Sequence, residues 1–148
     1  MNNPNIRPSA VATLLDVIDP SSQAAGAATS DWIDAQNYGA LLALIQIGAL
    51  GASAKVDAKL QQAQDAAGTG AKDIAGKAIA QLTKAGTNDN QQVAIDLFTN
   101  ALDTANGYRY VQLSITVATA ASLTAAVVLG FYASYGPGTP NTSLVQTV

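Results

Sequence analysis

Apolar and polar residues alternate most strictly over Gly107–Val117. Val111, Leu113, Ile115 and Val117 fall on one side of an extended chain, and Gln112, Ser114 and Thr116 on the other. That period of two, rich in β-branched residues, predicts a half-buried strand. Asn106-Gly107 before it is a turn signal. Val93, Ile95 and Leu97 alternate with Ala94, Asp96 and Phe98 and predict a second strand. Ala54–Gln64 repeats the pattern more loosely. Gly39–Leu50 is apolar throughout except at Gln46 and reads as a strand buried on both faces, bracketed by Gly39, Gly48 and Gly51. Ala125–Tyr132 is a further apolar strand. Ser9–Asp19 is expected as the first strand, ended by Pro20-Ser21-Ser22. Ile74 and Ile79–Leu82 suggest two short pieces around Gly76.

The connections carry the usual breakers. Pro4 and Pro8 make Met1–Pro8 an extended arm. Gln23–Ser30 reads as a small-residue linker. Asp65–Gly70 is a turn, Lys84–Gln92 a polar loop, and Gly136–Pro140 closes the fold. Alanine favours helix, and Gln61–Ala67 is helical on propensity alone. The glycine spacing and the period-two windows argue for strands instead. The expected fold is all-β: a single β-sandwich domain, jelly-roll-like, over residues 9–137, with an extended arm at 1–8 and a C-terminal tail at 138–148.

A chain of 148 residues is long enough for one proper core. Only 11% of residues are charged and the net charge is −3, so nothing favours nucleic acid. A surface poor in Lys and Glu suits a protein held against other subunits. The absence of Cys and His removes disulfides, the usual zinc ligands, thiol nucleophiles and the commonest general base. Met1–Pro8 has no apolar stretch of a signal peptide behind it. Leu113–Tyr135 is uncharged and long enough to span a bilayer. Its scattered Ser and Thr, and the alternation at its start, argue against that use. A small holin-like membrane protein stays a third reading.

Few stretches suggest chemistry. Asp65–Lys72 resembles a phosphate loop but lacks its first glycine and the Ser or Thr after the lysine. Asn88-Asp89-Asn90 offers oxygen ligands without the rest of a calcium loop. Asp31 with Asp34, and Asp96 with Asp103, are carboxylate pairs of the kind a glycosidase holds across a cleft. Tyr108, Tyr110, Tyr132 and Tyr135 with Trp32 offer either a sugar-stacking platform or packing at an interface. No catalytic set, cofactor site or metal site emerges, so the expectation is a protein that is not an enzyme.

Several segments together resemble a known family. They are Asp31-Trp32-Ile33-Asp34, Tyr38-Gly39-Ala40-Leu41, Ile47-Gly48-Ala49, Lys59–Asp65 with Lys72-Asp73-Ile74, Tyr108-Arg109-Tyr110-Val111-Gln112-Leu113, Val128-Leu129-Gly130 and Tyr135-Gly136-Pro137. These resemble small β-proteins encoded beside the major capsid gene of tailed bacteriophages, over about Asp31–Pro137. Gln112 departs from the pattern, where relatives often carry a second basic residue. The resemblance implies a capsid decoration or cement protein on the outer surface of the virion, commonly a homotrimer. Its partner would be the major capsid protein, and it would pass through the host cytoplasm during assembly. A virion or tail-associated carbohydrate-binding β-sandwich is the alternative. The expected contact residues are Trp32, Tyr108, Arg109, Tyr110, Tyr132 and Tyr135 on the domain. Arg7, the only charge of the arm, is expected to meet a capsid carboxylate. Leu144 and Val145 of the tail are expected to add a strand to a neighbour's edge.

Overall fold

Alternation along the chain sets which side chains go inside. The computed structural model describes residues 6–148, so most of the expected N-terminal arm, Met1–Asn5, lies outside the described residues. One helical turn, α1 (Pro8–Val11), is followed by β1 (Ala12–Gln23), β2 (Gly26–Thr29), β3 (Ile33–Asp34), β4 (Tyr38–Ile47) and β5 (Lys55–Ala63). Then come β6 (Lys72–Ala78), β7 (Leu82–Thr83), β8 (Gln92–Phe98), β9 (Tyr110–Ala118) and β10 (Ser122–Ala133).

The strands form two antiparallel sheets. One has the order β1-β10-β4-β8 and the other β2-β9-β5-β6, with β3 added to β9 and β7 to β5. The order follows from nested pairing. β1 pairs β10, β2 pairs β9, β4 pairs β8 and β5 pairs β6, as in one long hairpin. That hairpin is rolled so that β10 also meets β4 and β9 also meets β5. Eight principal strands in this arrangement are a jelly roll, the all-β sandwich the sequence predicts. β9 pairs β5 without a break from Lys55↔Ala118 to Ala63↔Tyr110.

The core lies between the sheets. The six-stranded sheet contributes Val56, Leu60, Val111, Leu113, Ile115 and Val117, and the four-stranded sheet Leu41, Ile45, Ile47, Leu97 and Val128. The outer faces differ. β5 and β9 present Lys55, Asp57, Lys59, Gln61, Gln112 and Thr116 on the outside of the six-stranded sheet. β4 and β10 turn Leu42, Leu44, Val127 and Leu129 outward, half-buried, on the four-stranded sheet. The Gly39–Leu50 run is therefore covered on one face only, where its continuous apolar character predicts two.

Three local expectations are corrected. Pro8 opens a helical turn, a position where its missing N–H costs nothing, so β1 starts at Ala12 rather than Ser9. Pro20 does not end β1. The strand continues to Gln23 across irregular pairing between Ile18 and Ser21, and β1 is an edge strand, where a proline is tolerated. The small-residue linker contains β2, with Ala27 opposite Thr116 and Ala28 opposite Ile115. The uncharged Leu113–Tyr135 run is divided between two strands in different sheets. No helix among the described residues is long and apolar enough to cross a membrane.

The loops are tied by carboxylates. Asp89 Oδ1 accepts from the Leu50 N–H at 2.8 Å and from Lys84 Nζ at 2.9 Å, which joins the β7–β8 loop to the residues after β4. The Asn88-Asp89-Asn90 stretch is thus a loop clip. Asp65 accepts from Thr69 Oγ1 at 2.6 Å and from the N–H groups of Thr69 and Ala67, closing the Asp65–Gly70 turn. Lys59 with Asp73 and Lys72 with Asp103 form ion pairs at 2.8 and 2.6 Å. Each of these four carboxyls is held below the usual range. The Leu50 N–H is the first cause at Asp89, the Thr69 hydroxyl at Asp65, Lys59 at Asp73 and Lys72 at Asp103. A carboxyl whose folded pKa is depressed contributes stability above its unfolded pKa and loses it as pH falls through the folded value. The melting temperature is therefore expected to stay level from about pH 7 to 5 and to fall below about pH 4. A pH-melting series checks this, and a level curve down to about pH 2 would contradict it.

Candidate interaction surface

Arg109 stands at the entrance to β9 and gathers one end of the sandwich. Its guanidinium pairs with Asp34 Oδ2 at 3.0 Å and donates to Gln36 Oε1 at 2.8 Å and to the Tyr110 hydroxyl at 3.0 Å. It also lies 5.1 Å from the centre of the Tyr110 ring, within cation–π range. Tyr110 and Asp34 favour its charged form. Asp34 is placed by β3, which pairs with β9 at Asp34↔Tyr110. Its carboxylate also accepts from the Gln36 N–H at 3.0 Å, which starts a short 3-10 turn. Arg109 is thus already committed to groups of its own domain.

Tyr108 sits on the other side of this entrance. Its hydroxyl donates to the Gly70 carbonyl at 3.0 Å, and Lys72 Nζ lies 3.9 Å from the ring centre. Trp32 leans on the same turn. Gly68 has φ +82°, and a Cβ there would lie 2.6 Å from the indole Nε1, so the turn needs glycine both for its backbone and for the approach of the ring. Trp32, Tyr108, Arg109 and Tyr110 therefore share the loop-rich end of the six-stranded sheet.

Tyr135 meets this cluster only at Trp32, and Tyr132 lies apart. Tyr135 is 90% exposed and borders a cleft of about 450 Å³ with Trp32 and Tyr38, beside Asp31, Asn37 and Asn141. Tyr132 is 73% exposed and has φ 56°, a left-handed backbone unusual for a bulky residue. It lies with Phe98 and Phe131 around a separate depression on the four-stranded sheet. The sequence names these rings but gives no sign that they fall into separate groups. It also gives no sign of Tyr38 in the cleft. Of the carboxylate pairs, Asp31 and Asp34 border the same cleft, with Asp34 paired to Arg109, whereas Asp103 pairs with Lys72 and Asp96 is exposed on β8.

The tail folds back before it leaves. The Asn141 N–H donates to the Leu14 carbonyl at 2.7 Å, and its Nδ2 donates to Asp16 Oδ1 at 3.0 Å. Asp16 is buried, and its Oδ2 accepts from the Asp31 N–H at 2.6 Å. Beyond this clasp Leu144 and Val145 are exposed, Val145 at 92%. Arg7 is exposed at the start of α1. Asn141→Ala removes a donor from a buried carboxylate and is expected to cost about 1–2 kcal/mol of stability. Deleting residues 144–148 is expected to leave stability unchanged. Denaturant unfolding of both variants checks the pair of outcomes.

No protein-family model matches the sequence, and comparison with curated proteins gives no match. Solved structures do resemble the fold. A chain of the Broad Bean Stain Virus structure matches with a TM-score of 0.50 at 8% identity, over 95% of this chain and 96% of that one. A chain of the Cowpea mosaic virus empty virus-like particle gives 0.48 at 9% identity, covering 96% of this chain and 94% of that one. A chain of the naturally occurring empty particles of Cowpea mosaic virus gives 0.46 at 9% identity, covering 88% and 90%. At such identities the likeness to the Broad Bean Stain Virus chain is one of fold: a jelly roll aligned over nearly the whole of both chains.

Proposed function

We propose that this chain is a structural, non-enzymatic virion protein, a decoration or cement subunit that binds the outer surface of a tailed-phage head and stabilises its lattice. The observation that carries the reading is the jelly roll itself, shared over 95% of this chain with a virus structure. Jelly rolls serve both capsids and lectins, so the fold alone does not choose between them. The family resemblance of Asp31–Pro137 tips the choice toward the phage head. The composition agrees, with a charged fraction of 11% and exposed Leu144, Val145 and Tyr135. In this reading the major capsid protein is the partner, the subunits group as homotrimers, and the chain is made in the host cytoplasm before it joins the head.

The test is to add the purified chain to heads that lack it and sediment them. Co-sedimentation that saturates at a fixed ratio to the major capsid protein is expected. A chain that stays in the supernatant at all concentrations would overturn the proposal. The cleft bordered by Trp32, Tyr38 and Tyr135 favours a second reading, a carbohydrate-binding sandwich. Glycan binding that Trp32→Ala abolishes would support it.

A further inference from the structure

We propose that the outer face of the four-stranded sheet is the surface through which two copies of this chain pack. Leu42, Leu44, Val127, Leu129, Phe131 and Val17 point away from the core on three neighbouring strands. They stand in register: Leu129 is opposite Leu42, Val127 is opposite both Leu44 and Val17, and Phe131 is opposite Ala40. The rows continue onto β8, where Leu44 meets Ala94 and Ala40 meets Phe98. The carboxylates of this face stand on its two edge strands: Asp96 opposite Leu42 on β8, and Asp19 on β1 in the depression it shares with Val17, Leu44 and Val127. An antiparallel sheet with one face in water ordinarily alternates apolar inside and polar outside. The six-stranded sheet obeys that rule and this sheet does not.

The size of the face suits a pair. Four strands about 4.8 Å apart and three rows about 6.8 Å apart make it about 20 Å by 20 Å, or about 400 Å² on each copy. A pair then buries about 800 Å² in these rows, and the exposed Tyr132 rings beside them bring the contact to about 1,000 Å², the level at which specific interfaces begin. Phe98, 62% exposed, and Tyr132, 73% exposed, stand at the rim and extend the contact. Tyr132 is held there by its left-handed backbone, the sort of strain that marks a working surface.

The chemistry points to a second copy as the occupant. A foreign partner is selected by complementary charge, and this face carries charge only on its two edge strands. A flat face of aliphatic rows matches itself, as the inner faces of a sandwich do at a spacing of about 10 Å. A two-fold axis along the strands lays β8 of one copy over β1 of the other, so the Asp96 and Asp19 carboxylates all stay at the solvated rims. Such isologous pairing is the commonest symmetry among oligomers. The pairing differs from the trimer proposed above and stands whether or not the chain joins a head. Both contacts together would give six copies.

Analytical ultracentrifugation of the full chain at about 100 µM tests it. A mass of two copies, or of six, is expected. Leu42→Lys with Leu129→Lys is expected to weaken the pairing about a hundredfold, because it buries unpaired like charges. The circular dichroism spectrum is expected to be kept, since neither side chain enters the core. A milder variant guards against misfolding. The chain has no cysteine, so Leu42→Cys places a single thiol near the axis. A short bismaleimide is expected to link that variant into pairs and to leave Gln61→Cys, on the polar face, unlinked. A wild-type mass of one or three copies, an association the lysines leave intact, or equal linking of both thiols would overturn the proposal.

Discussion

Leu113→Asp leaves the chain unfolded. Leu113 is fully buried on β9, opposite Leu60 on β5, in the middle of the core. Removing the leucine forfeits about 2 kcal/mol of burial. The new carboxylate costs several kcal/mol more, because it is buried in a core whose opposite side is built mainly of Leu41, Ala43, Ile45, Leu97 and Val128. Total stability for a domain of this size is about 5–15 kcal/mol, so the loss takes most or all of it. Thr116→Asp is the matched control. Thr116 lies three residues further along the same strand, exposed on the outer face opposite Asp57, and its substitution is expected to cost no more than about 1 kcal/mol, from repulsion between the two carboxylates. Circular dichroism and thermal melts of the two variants check this. A cooperative melt of Leu113→Asp near the wild-type temperature would show the inside and outside of β9 to be reversed.

Gly51→Val is expected to lower stability by about 3 kcal/mol, roughly 10 °C in melting temperature. Gly51 lies between β4 and β5, where a Cβ would collide with the Ala121 carbonyl oxygen and come within 2.7 Å of the Ala120 Cβ. Backbone atoms cannot swing aside as a side-chain tip can. The Gly51 N–H also donates to Ser122 Oγ at 3.2 Å, so moving the loop to relieve the collision strains a second link. Gly76→Ala gives the comparison. Gly76 has φ +72° with open space around it, so only conformational strain of about 1 kcal/mol is expected there. Equal melting temperatures for Gly51→Val and the wild type would mean that the two loops do not meet as described.

Much of this was legible in the sequence, for a definite reason. β8 and β9 alternate with a period of two, and the inside positions Ile95, Leu97, Val111, Leu113, Ile115 and Val117 follow directly. β2 was hidden, because Gly26–Thr29 is too short and too uniform in side-chain size to show a period. The extension of β1 past Pro20 was hidden because an edge strand tolerates what a central one does not. The outward apolar face was visible in Gly39–Leu50, but a continuous apolar run states only that both sides are apolar. It does not state what covers each. Of the candidate surface the sequence shows residue types rather than places. Arg109 and Tyr110 were legible as an entrance to β9, yet the Asp34 pairing depends on β3, a strand of two residues that no periodicity reveals. Tyr38 joined the cleft only through the packing of the closing Gly136–Gly138 segment.

The virion role is tested most directly by imaging. Heads lacking this protein, with and without the purified chain added, can be compared by cryo-electron microscopy as a difference map. The account predicts new density of jelly-roll size at repeated lattice positions on the outer surface of the head. No added density at saturating concentration, or density at a single site on the tail, would contradict it.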